Sequence, residues 1–362
     1  MNTKRIIAVV VILAVAGIAR ADFTFGPPQN LGPVVNTGNE GTPALSPDAL
    51  TLYFSGNFAG GAGKNDLWYC TRPTVNDPWG PPVSVGAPVN TAAYEMYPCV
   101  SPDNLTLYFG EFLPTPYRAG GLGTGDLWMA ARASPQDPWG EPVNLGPNVN
   151  SAEYLESCPA LSQDGLTLIF AVAAPTMQPC DLWMSTRPSI HDPWGPRTIL
   201  KTSDGKTFRG MEPALSADGL ALFFTNPDVA GMDLWMSLRQ SPKDLWDPPV
   251  SLGPTINTDK RDNSPSLSPN MKTLYFCASQ RPGGLGGADL WQVDILPVVD
   301  FNADGKVDNQ DLLRLVESWG KDDPLVDIGP GPWGDGKVDI EDLKVFMTYW
   351  EKENPPQSDG GR

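Results

Sequence analysis

The stretch Pro43-Ala44-Leu45-Ser46-Pro47-Asp48-Ala49-Leu50-Thr51-Leu52-Tyr53-Phe54, with Asp66-Leu67-Trp68 after it, decides the fold. Two apolar runs flank a Ser-Pro-Asp turn, the pattern of strand, tight turn and strand. The same order returns in segments that start at Pro98, Pro159, Pro213 and Pro265. Asp-Leu-Trp returns in register at Asp66, Asp126, Asp181, Asp233 and Asp289. These copies stand roughly 50–60 residues apart, a period within reach of a four-stranded unit. One more copy, Asp244-Leu245-Trp246, is out of register and stands where other repeats carry Asp-Pro-Trp.

After each of the first four in-register copies comes a strand led by Trp79, Trp139, Trp194 or Trp246. The fifth copy lacks it and runs into Gln292-Val293-Asp294-Ile295-Leu296-Pro297. The missing piece stands at the other end, where Phe25-Gly26-Pro27-Pro28-Gln29-Asn30-Leu31-Gly32 matches the Trp79 segment. An N-terminal strand that completes the last unit closes a ring and removes two exposed sheet edges. The expected fold is an all-β propeller over residues 23–296, with five four-stranded blades and six as the alternative. The repeats resemble the WD40-like (PD40) family of TolB-type propellers. The residues that carry the likeness are Leu45-Ser46-Pro47-Asp48, Leu52-Tyr53-Phe54, the linker from Arg281 to Gly287, and Asp289-Leu290-Trp291. TolB-type propellers usually have six blades, so five is a departure from that pattern.

The chain opens on Lys4-Arg5, an apolar run from Ile6 to Ile18, and Ala19-Arg20-Ala21. This order of charge, short apolar core and small residues predicts a signal peptide over residues 1–21 and an exported protein, extracellular or at the cell surface, with the periplasm as alternative. A net charge of −17 argues against nucleic acid and anionic membranes as partners. There are 5 cysteines and 1 histidine, His191, with no Cys-x-x-Cys spacing, so zinc and a Ser-His-Asp triad are disfavoured. Cys158 and Cys180 fall in one repeat and are the expected disulfide.

An acidic residue stands three positions before the repeat proline at Glu40, Glu95, Glu156 and Asp262, while Glu212 is adjacent to Pro213. If the inner strands start here, these carboxylates ring one mouth of the channel. Paired carboxylates are the acid and base of glycosidases, which makes Glu95, Glu156, Glu212 and Asp262 catalytic candidates. Their equivalence favours a structural or ion-binding role, because catalysis needs groups made different by their surroundings. Departures from the repeat, Tyr94, Tyr154, Arg209 and Arg261, with Glu153 and Met211, are the ligand-binding candidates. The Gly-rich segments at Gly60, Gly120 and Gly283 precede strands rather than helices, so they read as flexible loops and not phosphate cradles. The repeated tryptophans read as packing between blades. Ser162-Gln163-Asp164-Gly165-Leu166-Thr167 misses the sialidase Asp-box, because glycine follows Asp164 at once and Leu168 stands for the tryptophan.

The C-terminal segment changes character. In Asp300-Phe301-Asn302-Ala303-Asp304-Gly305-Lys306-Val307-Asp308-Asn309-Gln310-Asp311, oxygen donors fall at calcium-loop positions 1, 3, 5, 7, 9 and 12. They are Asp300, Asn302, Asp304, the Lys306 carbonyl, Asp308 and Asp311. The residues from Leu312 to Trp319 have helical periodicity, and no helix precedes Asp300. A second copy supplies Asp335, the Lys337 carbonyl, Asp339 and Asp342, followed by a helix from Leu343 to Trp350. In strict register Gly331 and Trp333 fall where donors belong, and Asp327 serves as position 1 only with an insertion at Gly329–Pro332. This F-hand pair resembles a type I dockerin over residues 299–351, with a flexible tail over 352–362. The resemblance implies Ca2+ and a cohesin-like module or surface scaffold as partner. The pairs Asn309-Gln310 and Ile340-Glu341 differ, which argues against symmetric docking. The expected function is a secreted propeller that binds a glycan or protein and is tethered through the calcium module, linked to polysaccharide degradation. The alternative is a glycoside hydrolase or lyase with its carboxylates at the channel mouth.

Overall fold

A computed structural model describes residues 23–112, 118–176, 180–229, 231–302, 304, 306–323, 325–329 and 334–353. The expected signal peptide, the last nine residues of the tail, and Gly331 and Trp333 lie outside the described residues. The chain separates into two compact units, Thr24–Leu296 and one that takes in the residues from Pro297 onward.

β1 (Phe23–Phe25) and β2 (Gln29–Asn30) precede the repeats. The first repeat folds as β3 (Glu40–Leu45), β4 (Thr51–Gly56), β5 (Asp66–Thr71) and β6 (Val83–Ser84), one antiparallel sheet in chain order. The second gives β7 (Tyr94–Val100), β8 (Thr106–Phe112), β9 (Gly125–Ala131) and β10 (Val143–Asn144). The third gives β11 (Leu155–Leu161), β12 (Thr167–Ala173), β13 (Cys180–Thr186) and β14 (Thr198–Ile199). A single parallel pair, Leu155 opposite Gly125, joins these two into one larger sheet. The fourth repeat is β15 (Met211–Leu215), β16 (Ala221–Thr225), β17 (Leu234–Leu238) and β18 (Val250–Ser251). The fifth is β19 (Asp262–Leu267), β20 (Thr273–Ser279) and β21 (Ala288–Pro297). Its outer strand comes from the N-terminal end: β2 runs antiparallel to β21, with Asn30 opposite Trp291. The first strands β3, β7, β11, β15 and β19 each touch the next, and β19 touches β3. The fold is an all-β propeller.

Each repeat turns on the same device. The Ser46 hydroxyl accepts from the Thr51 amide at 2.9 Å and donates to Asp48 at 2.5 Å, while Asp48 accepts from the Leu50 amide. Ser101, Ser162, Ser216 and Ser268 repeat it. Trp79, Trp139, Trp194 and Trp246 are buried, each under the guanidinium of Arg72, Arg132, Arg187 or Arg239 at 4.0–4.3 Å from the ring. Four of the connectors between repeats are clasps. The side chains of Asn36, Asn90, Asn150 and Asn257 each bond both backbone groups of the leucine in the Asp-Leu-Trp of the preceding repeat, Leu290, Leu67, Leu127 and Leu234.

One sequence expectation needs correction, and one gains a second reason. In the Gly-rich segments close approach also calls for glycine: the loop wraps the Asp66 carboxylate, which accepts from Ala62 at 2.6 Å and Gly63 at 3.1 Å, and a Cβ on Gly61 would run into that carboxylate. Asp126 and Asp289 hold their loops in the same way. Cys158 and Cys180 are not bridged. They stand on β11 and β13 with β12 between, so their backbones are not neighbours, and all five cysteines are free thiols. Burial pushes the Cys180 thiol up to about 12, which makes it inert.

In the C-terminal unit, α1 (Asn309–Glu317) and α2 (Ile340–Glu353) enclose Val299, Leu315, Val326, Ile328, Val338 and Phe346. Phe301 stacks on Phe346 with centroids 5.9 Å apart. Asp308 caps α1 and forms a reciprocal box with Asp311. α2 continues through Glu353, so the expected start of the tail at residue 352 is still helix.

Candidate functional site

Each repeated acid is the first or second residue of an inner strand, where the chain turns from connector to sheet. All four are buried: Glu95, Glu156 and Asp262 are 0% exposed and Glu40 is 1%. Glu40 accepts from the Thr37 and Gly38 amides, and its second oxygen has no partner; burial pushes its carboxyl upward. Asp262 accepts from the Thr258 amide at 2.7 Å and hydroxyl at 2.6 Å, and from Arg281 at 3.1 Å. Glu156 accepts from Ser151 and from Arg197 at 2.5 Å, yet burial still raises it. Glu95 accepts from the Thr91 hydroxyl, but its guanidinium, Arg118, lies 3.7 Å away and only 2.7 Å from Glu111. Burial, with Glu111 adding to it, pushes Glu95 up to about 7. Two carboxylates share one cation here, and Arg118 stands closer to Glu111 than to Glu95.

Glu212 belongs to a different position. The acid's place in the fourth repeat is taken by Gly210, where a Cβ would meet the Phe224 ring at 2.7 Å. Glu212 instead accepts from the Thr225 hydroxyl at 2.6 Å, the Asn263 amide group at 3.0 Å and the Ser264 backbone N–H at 2.9 Å, tying β15 to β19. Sequence reasoning missed the arginines Arg118, Arg197 and Arg281 that pair with these acids. An arginine before Gly-Gly-Leu-Gly in two repeats was the available signal.

Sequence reasoning also missed an axial ring. Thr42, Tyr97, Cys158, Glu212 and Ser264 all stand immediately before the repeat proline, and all have φ between 53 and 56°. Left-handed backbone is uncommon for such residues and is strained. The cause is a bulge: the register of every inner strand slips at this point. Five repeats keep the strain, yet each carries a different side chain. Glu212 acts electrostatically on Tyr97 and Cys158, and Arg261, exposed at its loop, acts on Tyr97. Next along the strands, Pro43, Pro98, Pro159, Pro213 and Pro265 line a cavity of about 160 Å³ that has no charged side chain. The available signal was the position before the repeat proline, which carries a different residue in every repeat while the proline itself is kept.

The ligand candidates are scattered. Tyr94 lies under the Lys64 ammonium, and Tyr154 is 42% exposed with Arg197 5.9 Å from its ring. Arg209 spans Asp181 at 3.5 Å and Asp228 at 2.9 Å. Glu153 is exposed and Met211 buried. Among the described residues, no hydrogen bond, ion pair or ring contact links Tyr94, Tyr154, Arg209 and Arg261 to one another.

In the C-terminal unit the closing acids organise both loops alike. Asp311 accepts from the Phe301, Asn302 and Asp308 amides, and Asp342 from the Ile328, Gly329 and Asp339 amides. This equivalence puts Asp327 in the place of Asp300, so the second loop is longer by the residues around Gly329–Pro332. Asp327 accepts from Asp335 and Gly336, and burial, reinforced by Asp342 and Asp335, pushes it up to about 6. In the first loop the Asp304 amide donates to Asp300 and Asn302, and Lys306 donates to Asp304 at 3.0 Å. Among the described residues no three His, Cys, Asp or Glu side chains stand together as a preformed metal cluster.

No protein-family model matches the chain, and no curated protein matches it in sequence. Solved structures do. A family 117 glycoside hydrolase from the marine bacterium Zobellia galactanivorans superposes with TM-score 0.50 at 14% identity, over 77% of this chain and 92% of that one. An α-L-arabinofuranosidase from Lactobacillus brevis gives 0.46 at 13% identity, over 72% and 91%. TolB from Acinetobacter baumannii gives 0.40 at 14% identity, over 70% and 53%. At such identities the likeness is one of fold alone, and the fold it joins is the β-propeller.

Proposed function

We propose that this protein is an exported five-bladed propeller that binds a glycan, held to a scaffold by a calcium-dependent F-hand module of dockerin type. The burial of Glu95, Glu156 and Asp262 and their bonds to protein groups carry the non-catalytic part. Carboxylates that hold the inner strands in place are not free to attack or protonate a substrate. The calcium part rests on donor chemistry: Asp300, Asn302, Asp304, Asp308, Asp311 and the Lys306 carbonyl offer only oxygen, in the number calcium takes. Asp327, Asp335, Asp339, Asp342 and the Lys337 carbonyl supply the second loop through its insertion. Calcium would join the two loops of a unit too small to be stable on its core alone. A cohesin-like module is the partner that this likeness suggests.

One observation favours an enzyme. Burial pushes the Glu95 carboxyl up to about 7, and a carboxyl raised in this way can serve as a general acid near neutral pH. A glycan screen on the mature protein, scored for binding and for product release, separates the two. Binding without release is expected, whereas turnover abolished by Glu95→Gln or Glu156→Gln would sink the non-catalytic proposal. For the tail, calorimetry should show calcium binding that Asp300→Ala weakens at least tenfold and that a chelator reverses. Unchanged binding in that variant refutes the loop assignment.

A further inference from the structure

The indole of each Asp-Leu-Trp is covered in four repeats. Phe58 stands edge-on to Trp68 at 4.9 Å, and the guanidinium groups of Arg118, Arg197 and Arg281 lie 5.1–5.4 Å from Trp128, Trp183 and Trp291. The fourth is different. Among the described residues no ring or cation covers Trp235, which instead lines a cavity of about 290 Å³.

Two departures from the repeat open this space. The segment from Asn226 to Asp233 is short and carries neither the arginine nor the phenylalanine that covers the other indoles. The connector from the third to the fourth repeat also lacks the asparagine clasp. It folds as a narrow hairpin, with Lys201 paired to Thr207 and Thr202 to Trp246. Buried Phe208 and Phe224 wall the cavity beside Trp235. The indole N–H of Trp235, like that of Trp291, has no acceptor, whereas that of Trp68 donates to the Gly56 carbonyl at 3.1 Å.

The rim decides what fits. Arg209 is paired with Asp228 at 2.9 Å, and Lys206 with Asp204 at 2.7 Å. The four charges of the lining cancel, and Arg209 also faces Asp181 at 3.5 Å behind it, so an anion finds no unspent cation in the wall. What remains is an aromatic face bordered by fixed donors and acceptors. A sugar ring matches both, with its C–H face on the indole and its hydroxyls on the paired charges. The volume suits one ring rather than a chain, since small-molecule sites begin at about 300 Å³. We infer that the cavity beside Trp235 is a saccharide site that takes one neutral sugar unit. The assignment rests on the glycan-binding proposal and locates it away from the axial ring.

The test uses the whole mature protein with calcium, titrated with neutral xylo-, gluco-, galacto- and arabino-oligosaccharides and with galacturonate and glucosamine oligomers. Binding is read by saturation-transfer NMR and calorimetry. Trp235→Ala removes the platform. Asp228→Phe puts a ring at the position that Phe58 holds in the first repeat, filling the cavity without emptying the core. Neutral glycan binding weakened at least tenfold by Asp228→Phe, in a protein with unchanged circular dichroism, is the expected result, and Trp235→Ala should match it. Glycan binding that survives both substitutions overturns this site and leaves glycan recognition elsewhere standing. Preference for the charged oligomers overturns the neutral class. No glycan binding at all removes the broader proposal with it.

Discussion

In the propeller, Glu156 and Asp262 are buried and spent on arginines, hydroxyls and amides of their own connectors. In the C-terminal unit, Asn302 and Asp304 are exposed, while the closing acids Asp311 and Asp342 are buried, as is Asp327. Both units arose by repetition of an acidic pattern, yet one internalises its acids and the other presents them. The difference follows from size. A ring of sheets has enough apolar core to bury an ion pair, whereas a two-helix unit with six fully buried apolar residues needs its loops held by charge.

Four substitutions probe that contrast, beginning with the most disruptive. Asp311→Ala strips three backbone N–H groups of their acceptor, each worth about 1.5–3 kcal/mol when the acceptor is charged. The helices α1 and α2 should unfold together, seen as loss of helical circular dichroism and rapid proteolysis after Pro297, while the propeller transition persists. Retained helix would show that the apolar core alone suffices. Next, Glu156→Ala leaves Arg197 without its buried partner and should cost about 3–5 kcal/mol, read as a lower propeller melting temperature.

Glu95→Gln should act in the opposite direction. Its carboxyl is raised from 4.5 to about 7, so the folded state holds a proton that the unfolded chain has released. The stability this confers is complete below about pH 4.5 and is lost as pH rises through about 7. Above pH 7 the glutamine variant should therefore be more stable than the parent, by about 3 kcal/mol, and below pH 4.5 the two should coincide. Denaturant midpoints across pH 4–8 measure this, and a parent whose stability rises over that interval would contradict it. Smallest of the four, Arg239→Ala removes the cation over Trp246 and a bond to the Gly219 carbonyl, worth about 1–2 kcal/mol together.

The repeat was legible because a strand pair with a Ser-Pro-Asp turn writes itself into neighbouring residues, and Phe25–Gly32 could be matched to Trp79 by composition alone. The acidic positions were legible too, but their chemistry was not. Whether Glu95 is an acid, a base or a strut depends on Glu111, opposite it on β8, and on Arg118, which lies beyond that strand in sequence. Glu212 looked like a displaced member of the acidic set. Its neighbour Gly210 fills that place because Phe224 leaves no room for a side chain.

The sequence by itself determined the strands, the turns, the N-terminal strand that completes the fifth repeat, and the oxygen-donor spacing of the loop from Asp300 to Asp311. All of these follow from local rules, side-chain period, turn chemistry and ligand count, which act within a few residues. The tertiary structure alone decided which thiols stay apart, how Asp327 comes to stand where Asp300 does, and that Trp235 is the uncovered indole. Those depend on distances between residues far apart in the chain, where burial and packing, rather than neighbouring sequence, set the energy.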